Sequence, residues 1–385
     1  MRRTPAVLAG AVAAAAIGLL FYNVMPLYLG SLQDATGFSS EQIGIVGSTF
    51  FIGLNLVSAS SFFWIGRIDA RTACLLATLL MVAMFPASAA LSSYSAILAT
   101  MLVIGGASGA LASISATVIG ASTQSTRWFG VKVAAETAAG VLLLFALPAT
   151  LIPRLGFMGT AIGMAGSVAL LAPAILLMGK GTPVSAPGLE QGEVSATRQH
   201  HNRWAVWCAL CATLVMFMGG SAIWAFEERI AQLHNFDAEW VGRVLGISLV
   251  FSAVGSMAGG ALGARFGTNR VYWIGTAVMI LGVIGIAEPS ANPAYYATGA
   301  SLFVTGWGIA VPLLYARITD TDPNGRHIAL AIPAIGIGSI IGPALAGFLV
   351  GSDSIPALQW TSIGAITLSA LLMLDPARER AHPQQ

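Results

Sequence analysis

Phe38-Ser39-Ser40-Glu41-Gln42-Ile43-Gly44 returns as Phe236-Asp237-Ala238-Glu239-Trp240-Val241-Gly242, an offset of 198 positions. At the same offset Arg67 falls on Arg265 and Gly140 on Gly338. Six apolar stretches lie in each half around these landmarks. The chain therefore reads as two copies of one six-helix bundle.

Composition identifies the solvent. Hydrophobic residues make up 56% of the 385 and charged residues only 9%, against about 25% charged in an ordinary globular domain. A soluble chain of this length would need far more charge to cover its surface. Crossing a bilayer takes roughly 20 apolar residues, and runs of that length fill most of the sequence. The 44 glycines suit helices that pack closely in lipid. A net charge of +2 gives no reason to expect a nucleic-acid partner.

Breaks in hydropathy predict twelve transmembrane segments near 6–29, 41–65, 72–91, 95–121, 131–152, 158–179, 204–226, 240–263, 271–287, 293–317, 327–350 and 356–374. The expected fold is an all-α polytopic membrane protein. An N-terminal bundle covers 1–179, a polar connector 180–203, a C-terminal bundle 204–374 and a polar tail 375–385. Arg2-Arg3 before an alanine-rich run has the look of a signal peptide, but its apolar stretch is too long for one and fits a first membrane helix. Of eighteen basic residues, only Arg154, Arg229 and Arg243 fall on one side of the predicted bundle. The positive-inside rule then puts both termini in the cytoplasm, as an even helix count requires.

The repeated element lies at the outer ends of the second and eighth segments. Ser39 and Asp237 are natural N-caps there, and Gln42 completes a capping box with Ser39. Glu41 and Glu239 then sit in first turns, where the helix dipole favours an acid. Both read as helix starters. Cys208-x-x-Cys211 has redox or zinc spacing without a second pair or a histidine cluster, so these cysteines and Cys74 read as small packing residues. His200-His201 reads as a solvated part of the connector. No metal site and no cofactor is expected.

Twelve segments in a 6+6 repeat with a polar middle connector resemble the major facilitator superfamily. That family's loop between helices 2 and 3 runs roughly Gly-x-x-x-Asp-Arg-x-Gly-Arg-Arg. Its second-half counterpart is Gly260-Ala-Leu-Gly-Ala264-Arg265-Phe-Gly267-Thr-Asn269-Arg270, with Ala264 in place of the acid. The first-half copy keeps Arg67 and Arg71 and places its acid later, at Asp69. The resemblance implies loops that latch the two bundles in one conformation. Gly338-x-x-x-Gly342-Pro343 resembles a glycine-proline motif of the family's exporters, displaced here to segment 11; segment 5 keeps only Gly140 and Pro148. Asp320-Thr-Asp322-Pro323-Asn324-Gly325-Arg326 reads as a turn and hinge.

Charge at bilayer depth is expensive, about 2.5–3.5 kcal/mol on the most lenient scale, and so marks candidate sites. Glu136, in segment 5, lies about 8 Å inside its predicted start at ~1.5 Å rise per residue. Lys132 stands four residues before it on the same face. Two readings are open: a static ion pair, or a buried carboxyl that exchanges a proton as a cavity alternates. Glu227-Glu228-Arg229 at the end of segment 7 reads as an interfacial cluster or an outer gate. The resemblance implies a cavity lined by segments 1, 4, 7 and 10, where Tyr22, Asn23, Trp224 and Trp307 are the candidates. No Lys or Arg falls at mid-depth on those segments, Arg317 lying near the cytoplasmic end. That lowers small anions as substrates.

Together these features predict a proton-coupled secondary transporter of a small amphipathic organic solute, with export slightly favoured and sodium left open as the ion. Uptake of an aromatic or organic-acid solute is the second reading. An enzyme would need clustered nucleophiles or acid–base pairs, and a pore does not need a paired repeat. A monomer in a prokaryotic plasma membrane is expected.

Overall fold

The computed structural model describes residues 4–65, 67–179, 203–288, 290, 292–321, 330–351 and 354–374. The predicted connector, the tail and most of the hinge loop from Asp320 lie outside them. Among the described residues, twelve helices are long and apolar enough to cross a membrane. We number them α1 (Pro5–Thr36), α2 (Ser40–Trp64), α3 (Ala70–Ala90), α4 (Tyr94–Gly120), α5 (Arg127–Leu155), α6 (Phe157–Met178), α7 (Arg203–Leu233), α8 (Ala238–Phe266), α9 (Thr268–Ile286), α10 (Pro293–Thr321), α11 (Ala331–Gly351) and α12 (Ile355–Leu372).

The two repeated elements start helices as expected. Ser39 accepts from the Gln42 amide at 3.2 Å while the Gln42 side chain accepts from the Ser39 amide at 3.0 Å, a complete capping box. Asp237 accepts from the Trp240 amide at 2.9 Å. Glu41 and Glu239 occupy first turns, and Glu239 pairs with Arg243 at 3.5 Å with both side chains half exposed. Such a pair is worth only a few tenths of a kcal/mol, roughly.

Two helices, α1 and α7, outrun their predicted ends by about two turns. α1 continues through the polar run Gly30 to Thr36 until Gly37, whose φ of +67° supplies the left-handed C-cap. α7 continues past 226 to Leu233. Its charged residues do not stop it because Arg229 donates to Gln232 at 2.8 Å and Gln232 to Glu228 at 2.6 Å along the helix surface. Glu227 and Glu228 therefore lie inside a helix, at 0% and 3% exposure. In the loop after α2, Asp69 caps α3, accepting from the Thr72 amide at 2.9 Å and hydroxyl at 2.8 Å. Its displaced position in the motif thus has a helix-starting use.

Contacts divide the chain into two compact units, one of 1–195 with 235–250 and the other of 196–234 with 251–385. In the first unit α2 packs on α4 with glycine at the contact points. A Cβ at Gly53 would strike the Leu102 carbonyl, one at Gly105 the Phe50 carbonyl and one at Gly109 the Leu54 carbonyl. In the second unit the later part of α8 meets α10 by the same device. Gly255 lies on the Thr305 carbonyl, Gly259 on the Ile309 carbonyl and Gly308 on the Ser252 carbonyl. Lipid gives no hydrophobic drive for helix association, so backbone approach through small residues does the packing. Gly338 and Gly342 of the quoted motif press α11 against α7, at the Leu214 and Met218 carbonyls.

Pro148 adds a local device. Having no N–H, it leaves the Leu144 carbonyl without its helical donor, and α5 widens into a π turn over Leu147–Leu151. Gly242 of α8 packs on that Leu144 carbonyl and on Pro148.

Gly105→Ala tests the packing by sign. At an open helical site alanine gains up to about 1 kcal/mol over glycine, and Gly166 in α6 has such space around it. Gly166→Ala is expected to raise the thermal unfolding midpoint in detergent, while Gly105→Ala lowers it, at an overpacking cost of roughly 1–3 kcal/mol.

Candidate functional site

The first unit brings together residues that the sequence singled out separately. Glu136 is 6% exposed and Asn23 9%, each on a different helix, α5 and α1. Asn23 Nδ2 donates to the Glu136 main-chain carbonyl at 2.9 Å. This approach requires Gly140, one turn further along α5, where a Cβ would sit 2.7 Å from the Asn23 Cβ. Lys132 Nζ stands 2.6 Å from Glu136 Oε1, the pair mostly buried. The cluster thus joins a carboxylate, an ammonium and an amide across two helices.

Its surroundings are graded. Trp128, Lys132, Glu136 and Gly140 follow at four-residue spacing and form one stripe of α5. The first two are half-buried and the last two buried. At the open end of the stripe lies a cavity of about 550 Å³ lined by Pro5, Leu8, Ser122, Thr123, Gln124, Arg127 and Trp128. Its lining carries polar side chains and one cation, Arg127. Tyr22, next to Asn23, packs edge-on to Phe51 with ring centres 6.0 Å apart.

The second unit holds the remaining candidates in a different arrangement. Trp307 of α10 lies with its ring on Gly220 of α7 and is edge-on to Phe217 at 4.7 Å. Its neighbours Gly306 and Gly308 let α10 approach α9 and α8. Trp307 is half-buried and Trp224 buried, at 5% exposure. Tyr296 of α10 donates its hydroxyl to the Glu227 main-chain carbonyl at 3.0 Å. Both carboxylate oxygens of Glu227 are buried without a hydrogen-bond partner among the described residues. The sequence reads this acid as part of an interfacial cluster or an outer gate, with no sign that α7 continues to Leu233 with Ile230 and Ala231 buried.

Arg67, Arg265 and Arg270 are exposed and Arg71 half-buried, and the Arg265 guanidinium lies 5.1 Å from the Phe266 ring centre. The cysteines do not meet as a site: Cys74 is buried, Cys208 half-buried and Cys211 exposed on α7. Another recess, about 450 Å³, lies between α2, α3 and α4 where Gly53 and Gly106 have no side chain. Its walls, from Leu56 and Val57 to Leu80 and Leu102, are apolar.

Two runs of six membrane-length helices, with charged residues buried in α5 and α7, fit the frame on which secondary transporters are built. The chain belongs to the Major Facilitator Superfamily, whose profile matches residues 10–332 and 209–385. It is 29% identical over 196 residues to a major facilitator superfamily multidrug transporter of Aspergillus fumigatus. It is 30% identical over 159 residues to a probable actinorhodin transporter of Streptomyces coelicolor. These matches cover 48% and 38% of the chain, but only 36% and 26% of the relatives. Among solved structures, a D-xylose–proton symporter superposes with a TM-score of 0.74 at 12% identity, covering 96% of both chains. The nucleoside transporter NupG gives 0.70 at 16% identity, covering 96% of this chain and 98% of that one. These likenesses carry the fold.

Gly140→Leu tests whether Asn23 and Glu136 work as one unit. The added side chain would displace Asn23 and open the α1–α5 contact. Transport activity is expected to fall at least tenfold while the protein still inserts and purifies as a monodisperse species. Unchanged transport rates in reconstituted vesicles would separate the two residues functionally.

Proposed function

We propose that the protein is a proton-coupled transporter of small amphipathic organic solutes, working by alternating access in a prokaryotic plasma membrane and exporting its substrate. The observation that supports this most directly is the buried Lys132–Glu136 pair tied to α1 through Asn23. A proton on Glu136 would cancel its charge and release Lys132, which is 16% exposed at the side chain and can hydrate toward the cavity beside Trp128. Losing the pair would change the electrostatics of α5 next to Asn23 and Tyr22. Proton binding and solute binding would then act on one pair of helices, α1 and α5, as coupling requires.

Aromatic and small polar side chains at Tyr22, Asn23, Trp224 and Trp307 favour a flat or amphipathic organic molecule over an inorganic anion. An organic substrate draws support from the two curated relatives, a multidrug transporter and a probable actinorhodin transporter. Proton coupling is in keeping with a D-xylose–proton symporter of the same fold. By the charge bias of the loops, the cavity beside Arg127 and Trp128 would face the cytoplasm, the side from which an exporter loads.

Glu136→Gln separates coupling from carriage. Purified protein in liposomes is challenged with a panel of amphipathic dyes under an imposed pH gradient. The variant is expected to lose gradient-driven accumulation, tenfold or more, and to keep dye-for-dye exchange. A Glu136→Gln variant that still concentrates dye would end this role for Glu136. Sodium-driven movement with no pH dependence would replace the proton as the coupling ion.

A further inference from the structure

The second repeat places an acid where the first has leucine. At the 198-residue offset Glu227 of α7 stands on Leu29 of α1, and the two are 0% and 1% exposed. An apolar side chain therefore satisfies this position of the bundle. Replacing a buried ion by a hydrophobic group of similar size is often neutral or stabilising, so packing alone gives no reason for glutamate.

Among the described residues no group hydrogen-bonds its carboxylate. Tyr296 spends its hydroxyl on the Glu227 main-chain carbonyl. Arg229 donates to Gln232, which donates to Glu228, the neighbouring acid. α11 and α12 pack against α7 and carry no titratable side chain. On α10, Tyr295 is exposed, and Tyr315 and Arg317 lie about five turns or more from Tyr296 at 3.6 residues per turn. On α9, Tyr272 bonds to Ser369 and Arg270 is exposed.

An ionised carboxylate in such a place bears its whole desolvation cost with nothing in return. A metal ion or an ammonium group would need space beside it, and no water-sized sphere reaches this side chain. A proton needs no space.

We propose that Glu227 is a second proton-carrying carboxyl, sealed as the neutral acid in this arrangement. One O–H bond forms when hydronium gives its proton to the carboxylate, leaving water. The same bond breaks when the site opens and water takes the proton back. This deepens the proton-coupled reading and rests on it for the transport role. It gives each repeat a proton-carrying acid, Glu136 in the first and Glu227 in the second.

Infrared spectroscopy of the full-length protein in lipid tests the site without needing a substrate. At neutral pH the wild type is expected to show the carbonyl stretch of a protonated carboxylic acid, exchanging slowly into D₂O because water has no access. Glu227→Leu, the side chain of the equivalent position, and Glu227→Gln are each expected to lose one carboxyl's intensity. A folded variant that keeps the full band overturns the proposal, and so does a wild-type band that sodium abolishes. Should both variants fail to fold, wild type with ¹³C-labelled glutamate must show a shifted band that survives Glu136→Gln; no such band overturns the proposal. A dye panel that fails to respond to pH gradients, with the infrared result intact, would remove the transport reading and leave the protonated carboxyl standing.

Discussion

Hydrocarbon offers a helix neither hydrogen bonds nor a reason to touch its neighbour, and the rest of the molecule follows from this. Backbone groups must be paired within each helix, which accounts for a chain that is helical across its described membrane segments. Helices must then be held by close approach. Gly105 on Phe50, Gly308 on Ser252 and Gly338 on Leu214 are three instances of one solution, a missing side chain that admits a neighbouring carbonyl. Where proline breaks the ladder, as at Pro148, the freed Leu144 carbonyl is met by the Cα of Gly242, a weak C–H···O contact at most.

The same constraint makes the two halves unequal in chemistry while equal in frame. Asn23 and Ser221 share a repeat position. Asn23 reaches across to α5, whereas Ser221 bonds back to the Phe217 carbonyl of its own helix at 2.6 Å. Glu136 stands on Ala334 and Glu227 on Leu29; all four are buried. A symmetric scaffold thus holds buried acids in both halves, Glu136 in the first and Glu227 and Glu228 in the second, at positions that are not equivalent.

Much of this was legible in the sequence. Hydropathy located all twelve helices because a membrane span is a long signal, and Ser39, Gln42 and Asp237 announced their caps by local chemistry. Glu136 was legible because it interrupts an apolar run four residues after Lys132. Its contact with Asn23 was not, since no local pattern tells which residues of α1 and α5 face each other; Gly140 was the sole clue. The burial of Glu227 was not legible for a different reason. A run of Glu-Glu-Arg lowers hydropathy and reads as a helix end, yet Gln232 links Arg229 to Glu228 and the helix continues past them.

Glu136 and Glu227 differ in how their charge is answered, and that difference orders their roles. Glu136 has an ammonium at 2.6 Å, so its ionised form is supported from within α5, and a proton must displace an ion pair to bind. Among the described residues Glu227 has no such partner, so its ionised form is supported only where water can enter. In the proton-coupled reading the first acid would respond to its neighbours and the second to solvent access. A carrier built this way would tie one proton to the rearrangement of α1 and α5 and the other to the opening of the site itself. The cost of burying each acid, several kcal/mol without compensation, is then what keeps the sealed arrangement from accepting the wrong protonation state.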